Sequence, residues 1–255
     1  MRLGITQLRN SYPEADCFGV LEQTGEDEYI VIYDSENRYA VIATKEIPAA
    51  YDAKLRINVN NALNAAVVCH LMQIDLAHIR TALKSFAMSY QNTPNRFNIY
   101  DSLPFTILVD YAHNEEGVRT LSEFVQSLDM SGRRILCYAV DDARSDDHIR
   151  ATAAAAAGSF DLYICKNYER TSDYINVHER EDLEVPTIMK QGLVGAGVAE
   201  CQIVLINDEK EAFTYALNMA EPGDYVVLLV GNAAKNFTRE FVQDYIAAQP
   251  PTAKD

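Results

Sequence analysis

The 255 residues carry 37 acidic against 22 basic side chains, a net charge of −15. That balance argues against nucleic acid or an anionic membrane surface as partner, because both need a basic face. With 48% hydrophobic residues the chain can bury one large core or two modest ones. No apolar run approaches the ~20 residues of a membrane-spanning helix, and the opening Met1-Arg-Leu-Gly-Ile-Thr lacks the apolar stretch of a secretory signal. Cys17, Cys69, Cys137, Cys165 and Cys201 are scattered, without C-x-x-C or His-pair spacing. Neither a zinc site nor a disulfide framework is indicated, and a reducing, cytoplasmic setting is expected.

Residues 1–57 read as strands and turns. Cys17–Leu21, Glu28–Tyr33 and Tyr39–Ala43 are β-rich, and the polar Asp34–Asn37 predicts a hairpin between the last two. Two helices follow, over 59–73 and 76–87. Ala62, Ala65, Ala66, Val68 and Leu71 give the first an apolar face. Asp75 is placed to cap the second, ahead of Leu76, Ile79, Leu83 and Phe86. Asn58 and Asn61 stand where asparagine also caps a helix start. The polar linker Gln91-Asn-Thr-Pro94-Asn divides the chain into 1–91 and 92–255.

Beyond residue 104, strands at 105–110, 134–140, 161–165, 202–206 and 225–230 alternate with helices at 115–129, 146–157, 209–220 and 236–247. This alternation predicts an α/β fold whose C-terminal part is a doubly wound, largely parallel sheet, preceded by a smaller region of strands and two helices. Thr106–Val109 reads as a buried strand, and Val118, Leu121, Phe124, Val125 and Leu128 mark an amphipathic helix. Asp110, Tyr111, His113 and Asn114 form the corner between them. Open α/β sheets bind ligands at such strand ends. Asp110 suits a sugar's hydroxyls, and His113 and Asn114 suit a base or phosphate. Equally, Asp110 and Asn114 satisfy backbone groups at the turn and helix start. Asp142, Arg144, Asp146 and Asp147 crowd the next strand end, with Asp146 and Asp147 suited to the first turn of a helix. The connection 166–201 is the least regular, and Gly192-Leu-Val-Gly195-Ala-Gly197 reads as a loop. His70, His78, His148 and His178 lack a triad context, and the tail from Gln249 reads as frayed.

Several of these segments resemble the Mur ligase superfamily. Asp110-Tyr-Ala-His113-Asn114 is similar to the DYAHN signature that opens its C-terminal domain. Asn58-Val-Asn-Asn61-Ala-Leu-Asn-Ala-Ala66 is similar to the HNxxNALAA segment of its central domain, with Ile57 in place of the His. Arg96-Phe-Asn98 resembles the segment before the C-terminal domain, and Glu221-Pro-Gly-Asp224-Tyr-Val-Val resembles a late PGD strand. Asp141-Asp-Ala-Arg144-Ser-Asp-Asp-His-Ile-Arg150 is similar to a GDRRDEDIR stretch of cyanophycin synthetases, with Asp141 for its Gly and Ala143 for one arginine. These matches lie in family order across about residues 55–231, which makes them specific as a set.

The resemblance implies a Rossmann-like Mur C-terminal domain after a partial central domain, and ATP-dependent amide-bond formation through an acyl phosphate with Mg²⁺. It implies nucleotide contacts from Asn58, Asn61, Arg96, Asp110, His113 and Asn114. It implies contacts to an amino acid or acidic peptide from Asp142, Arg144, Lys166 and Arg170, with solvated surface charge as the alternative for the last two. No side-chain nucleophile and no protein-held metal are required. The family's Gly-rich loop ending in Gly-Lys-Ser/Thr has no counterpart here, and Gly231 to Lys235 has the wrong spacing. Two expectations therefore stand together: the C-terminal part of a ligase resembling cyanophycin synthetase, or a non-catalytic binding or assembly module. A chain carrying the missing half, or a second copy, is the expected protein partner.

Overall fold

Short apolar segments set between tight turns shape the first part of the chain. The computed structural model describes residues 5–167, 180–230 and 237–249, and the chain divides into two compact units, Met1–Ala87 and Met88–Asp255. Arg170, His178, the Gly231–Lys235 stretch and the tail beyond Gln249 lie outside the described residues.

In the first unit, helix α1 (Ile5–Ser11) precedes three strands, β1 (Cys17–Thr24), β2 (Asp27–Asp34) and β3 (Asn37–Ala43). They form an antiparallel sheet in the order β1-β2-β3. The expected hairpin joins β2 to β3, with Asp34 opposite Asn37 and a register shift at Ile30/Val31. Ile30, Val31, Ile32, Val41 and Ile42 supply its core. Helices α2 (Arg56–Leu71) and α3 (Leu76–Ser85) complete the unit. A Cβ on Gly19 would meet Val67 Cγ2 at 2.4 Å, so glycine lets α2 lie close on β1. Asp75 caps α3 as its position predicts, accepting from the Ala77 amide at 2.7 Å.

Two expectations for this unit are corrected. Residues 5–11 are helical rather than strand or turn; α1 buries nothing, so no apolar pattern marked it. The buried face of α2 is Val59, Ala62 and Ala66, while Val68 and Leu71 are 55% and 60% exposed. The helix begins earlier than its pattern suggested, and in its last turn it is His70, not Val68 or Leu71, that meets the sheet, through Asp34 at 2.9 Å and the Tyr39 ring.

In the second unit, β4 (Asn98–Tyr100) runs antiparallel to β5 (Thr106–Asp110). There follow α4 (Glu115–Gln126), β6 (Arg134–Tyr138), α5 (Asp146–Ala154), β7 (Leu162–Lys166), α6 (Glu184–Gly195), β8 (Ile203–Ile206), α7 (Glu209–Asn218), β9 (Tyr225–Leu229) and α8 (Phe237–Ala248). The sheet order is β4-β5-β9-β6-β7-β8, and every pairing from β5 to β8 is parallel. The doubly wound, largely parallel sheet is as expected. Helix α6 is a correction to the loop reading of 192–197. Val185, Ile188, Met189 and Leu193 make its buried stripe. Gly192 lies inside the helix because a Cβ there would stand 2.4 Å from the Arg150 carbonyl oxygen of α5.

Side chains alternate between the two faces of a strand, and this sorts the core. Ile107, Val109, Ile135, Cys137, Ile164, Val226 and Leu228 pack with Ala212, Phe213 and Leu217 of α7 and Val242 of α8. Residues at the alternate positions meet the other helices: Tyr138 Oη donates to Ala153 O and Tyr163 Oη to Ala156 O. Strand β9 therefore leads to a helix on one face, while its neighbours β5 and β6 lead to helices on the other. Outgoing connections that part in this way open a crevice at the carboxyl ends, the usual ligand position in such sheets.

Candidate functional site

Asp110, the last residue of β5, is only 4% exposed. Its Oδ2 accepts from the Phe97 amide at 3.0 Å. Burial pushes its carboxyl up to about 6, against the opposing pull of the Phe97, Ala112 and Tyr111 amides and the Arg96 charge. The segment it holds is a tight hook. Asn95 and Phe97 both take left-handed backbone angles, φ 53° and 48°, which non-glycine residues seldom adopt. Asn98 closes the hook: its Oδ1 accepts from the Asn95 amide at 2.8 Å, and its Nδ2 donates to the Thr93 and Arg96 carbonyls at 3.0 Å each. The Phe97 ring anchors edge-on against Phe124 of α4 at 5.4 Å.

The hook leaves Arg96 outside, with its guanidinium 4.9 Å from the centroid of the Tyr111 ring. Tyr111 in turn lies 4.7 Å from the His113 ring, tilted by 37°. His113 Nδ1 is 3.0 Å from the Tyr111 carbonyl oxygen. That oxygen only accepts, so Nδ1 is the donor in this bond and Nε2 is the ring nitrogen it leaves unused. Arg96, Tyr111 and His113 thus form a tilted, cationic-to-aromatic row at the β5 corner. Asn114 caps α4, its Oδ1 accepting from the Gly117 amide at 2.8 Å. Asp110 and Asn114 therefore both satisfy backbone groups, one of the two readings their positions allowed.

At the β6 corner Asp142 is buried and Arg144 is exposed. Asp141 Oδ1 accepts from the Ala143 amide at 3.0 Å, and Ser145 caps α5. Asp146 and Asp147 occupy the first turn of that helix, where the exposed amides favour negative charge.

Lys166 ends β7 with a side chain that is 0% exposed, its Nζ 2.5 Å from Glu209 Oε2 and 5.3 Å from the Phe213 ring centroid. It is not a solvated surface charge. Its partner comes from the start of α7, and that pairing was not visible in local sequence.

Asn58 and Asn61 belong to the first unit. Asn58 Nδ2 donates to Ala49 O at 2.7 Å, and Asn61 Nδ2 lies 3.4 Å from Asn58 Oδ1. Neither caps α2; its N-cap is Leu55, without a side-chain bond. Tyr111 was named in the corner but given no role of its own, and Arg180 was not singled out in the sequence. Tyr111 lies inside the recognised motif, but Arg180 becomes visible only through the chain brought around it. Among the described residues no group of three His, Cys, Asp or Glu side chains is arranged to hold a metal. All five cysteines are free, and no described helix is long and apolar enough to cross a membrane.

Comparison with known proteins converges on one family. Residues 95–232, more than half of the chain, match the Mur ligase, glutamate ligase domain. The chain is similar to the cyanophycin synthetase of Geminocystis herdmanii, at 27% identity over 80% of this chain and 22% of that protein. It is also similar to the UDP-N-acetylmuramoyl-L-alanyl-D-glutamate–2,6-diaminopimelate ligase of Caldanaerobacter subterraneus, at 28% identity over 74% and 38%. Among solved structures it resembles the UDP-N-acetylmuramate–alanine ligase of Thermotoga maritima, with a TM-score of 0.63 at 16% identity, covering 91% of this chain and 46% of that one. It also resembles the folylpolyglutamate synthase of Mycobacterium tuberculosis complexed with ADP, with a TM-score of 0.58 at 14% identity over 94% and 49%. The chain spans about a quarter of the length of the cyanophycin synthetases it matches. Through its second unit, this chain belongs to the Mur ligase family.

Proposed function

We propose that this chain is the C-terminal part of an ATP-dependent amide ligase resembling cyanophycin synthetase. The observation that carries the reading is the β5 corner, where the hook tied down by Asp110 lines up Arg96, Tyr111 and His113 beside the crevice of the sheet. In such ligases a substrate carboxylate is phosphorylated by ATP with Mg²⁺, and an amine displaces the phosphate to give the amide.

In this chain Arg96 offers a fixed charge to the nucleotide. Asp110 holds the hook and the backbone amides of the corner. His113 Nε2 is the ring nitrogen left for the base. Asn114 fixes the start of α4, while Asn58 and Asn61 are the adenosine contacts assigned to the first unit. On the substrate side Arg144 offers an exposed guanidinium beside Asp142. Lys166 is neutralised by Glu209 in the core, so it secures the end of β7, while Arg170, outside the described residues, remains a candidate cation for the substrate. The amine arrives with the amino acid, so no enzyme nucleophile is needed. Catalysis is positioning and charge stabilisation. ATP consumption and five unpaired thiols suit the cytoplasm.

These 255 residues contain no Gly-Lys-Ser/Thr phosphate loop, and that favours a second reading. Here the chain binds an adenine nucleotide or an acidic peptide without turnover, or docks on a chain carrying that loop. ATP hydrolysis with an aspartate-rich peptide plus arginine or lysine separates the two. Turnover above that of Arg96→Ala and Asp110→Ala controls would establish the ligase reading. ADP affinity that drops in those variants, with no turnover, would establish the binding module. ADP affinity that ignores Arg96 and His113 would remove the β5 corner as the nucleotide site.

A further inference from the structure

Arg180 joins the β6 corner to the start of α6. Its side chain is only 12% exposed. Nε donates to the Asp142 carbonyl at 3.0 Å and Nη2 to the Arg144 carbonyl at 2.8 Å. Nη1 donates to Asp146 Oδ1 and to Glu184 Oε1, at 2.9 Å each. Glu184 is itself steadied by the Glu181 amide at 3.0 Å. A guanidinium presents five donors in one rigid plane, and a lysine ammonium cannot reproduce that fork. Two of the four acceptors are main-chain carbonyls on either side of Ala143. The guanidinium therefore fixes the path of the corner as well as neutralising its acids.

The neighbouring charges are engaged within the protein. Asp147 pairs with Arg150 at 2.8 Å, and Asp146 lies 3.7 Å from Arg150 in addition to its bond to Arg180. Asp141 accepts from Ala143. Arg144 differs: it is exposed, and its side chain has no ion pair among the described residues. Its backbone is held from both sides, by the Asp141 carbonyl at its amide (3.2 Å) and by Arg180 at its own carbonyl.

We infer that Arg180 is a positioning residue: its guanidinium, bridging Asp142, Arg144, Asp146 and Glu184, fixes the corner that presents Arg144 to a carboxylate of an acidic substrate. Arg180 does not touch that substrate. The inference rests on the substrate-side reading of Arg144 proposed above.

The test uses the full chain as wild type, Arg180→Gln, Arg180→Lys and Arg144→Gln. Hydrogen–deuterium exchange reads the order of residues 141–149, and titration with a short aspartate-rich peptide reads binding. Arg180→Gln should speed exchange across the corner by about tenfold or more, because several charge-assisted bonds are lost together, while β6 and β9 stay protected. Arg180→Lys should fall between, and it serves as the folded alternative if the Gln variant does not fold. Added guanidinium ion, but not sodium at equal ionic strength, should slow the corner of Arg180→Gln again. Peptide affinity should fall in Arg180→Gln by about as much as in Arg144→Gln. Wild-type exchange at the corner of a folded Arg180→Gln protein overturns the inference. So does a loosened corner with unchanged peptide affinity. If wild type binds no peptide while the corner still loosens, the clamp stands and the carboxylate reading of Arg144 falls.

Discussion

Asp110 makes the hook at the start of the second unit sensitive to pH, in a direction opposite to that of an ordinary paired carboxylate. Its folded value of about 6 lies above the unfolded value near 3.8. Between those values the folded chain holds a proton that the unfolded chain has released. Stability from this group is therefore fully present below about pH 4 and is lost as pH rises through 6. A rise of about two units, at about 1.4 kcal/mol each, makes the loss about 3 kcal/mol by neutral pH. Asp110→Asn removes the charge and keeps an oxygen for the Phe97 amide. Relative to wild type, the variant should therefore gain about 3 kcal/mol in stability between pH 4 and pH 7, whatever its offset at pH 4. Native-state hydrogen exchange of the β9 amides, corrected for intrinsic rates, reports on this unit alone. Asp224 behaves in the ordinary way. Burial raises its carboxyl, but the Arg133 guanidinium and backbone donors outweigh that and hold it below the usual range. Its contribution is lost as pH falls, and it cancels in the difference between the two proteins. A difference that stays flat from pH 4 to 7, or a carbon-detected titration of Asp110 below pH 4.5, would refute the reasoning.

Three further substitutions probe the same unit. Lys166→Met leaves Glu209 buried without its partner, and thermal melts should show a loss of about 3–5 kcal/mol; adding Glu209→Leu should recover much of it. Gly132→Ala would place a Cβ 2.3 Å from the Gly223 carbonyl carbon. The neighbours there are backbone and cannot step aside, so a loss of about 1–3 kcal/mol in urea unfolding is expected. Asn114→Ala removes the cap of α4 and should cost about 1 kcal/mol. A fall in ADP affinity beyond that small loss of stability would mean that Asn114 also touches the nucleotide.

Sequence alone carried the parallel core well, because β5, β6, β7 and β9 are buried apolar runs that leave little choice of structure. It failed where a residue's environment is made by distant chain. Glycines 192, 195 and 197 outweighed the apolar stripe of α6, yet Gly192 is what lets α6 sit against the Arg150 backbone. Lys166 sits at a strand end, where charge is normally solvated; only Glu209 and Phe213, more than forty residues on, bury it. The motif residues Asp110, His113 and Asn114 were legible as a group. The row they support was not, because it depends on left-handed angles at Asn95 and Phe97, which no residue type announced. Asn58 and Asn61 stood out for their motif, but the carbonyl of Ala49 that holds Asn58 belongs to a single 3-10 turn, Pro48–Ala50, too short to show a periodicity.

The position of β9 has a consequence for how the molecule is made. The last described strand to leave the ribosome is the one that lies between β5 and β6. Until residues 225–229 emerge, β5 lacks its parallel partner and β6 has β7 on one side only. Two adjacent apolar edges therefore wait, through the synthesis of more than eighty residues, for the strand that closes them. Chains interrupted before β9 are left with a split sheet rather than a shortened one. Yield in the cell should thus depend on completing the centre of the fold last, with chaperones holding the open edges until it arrives.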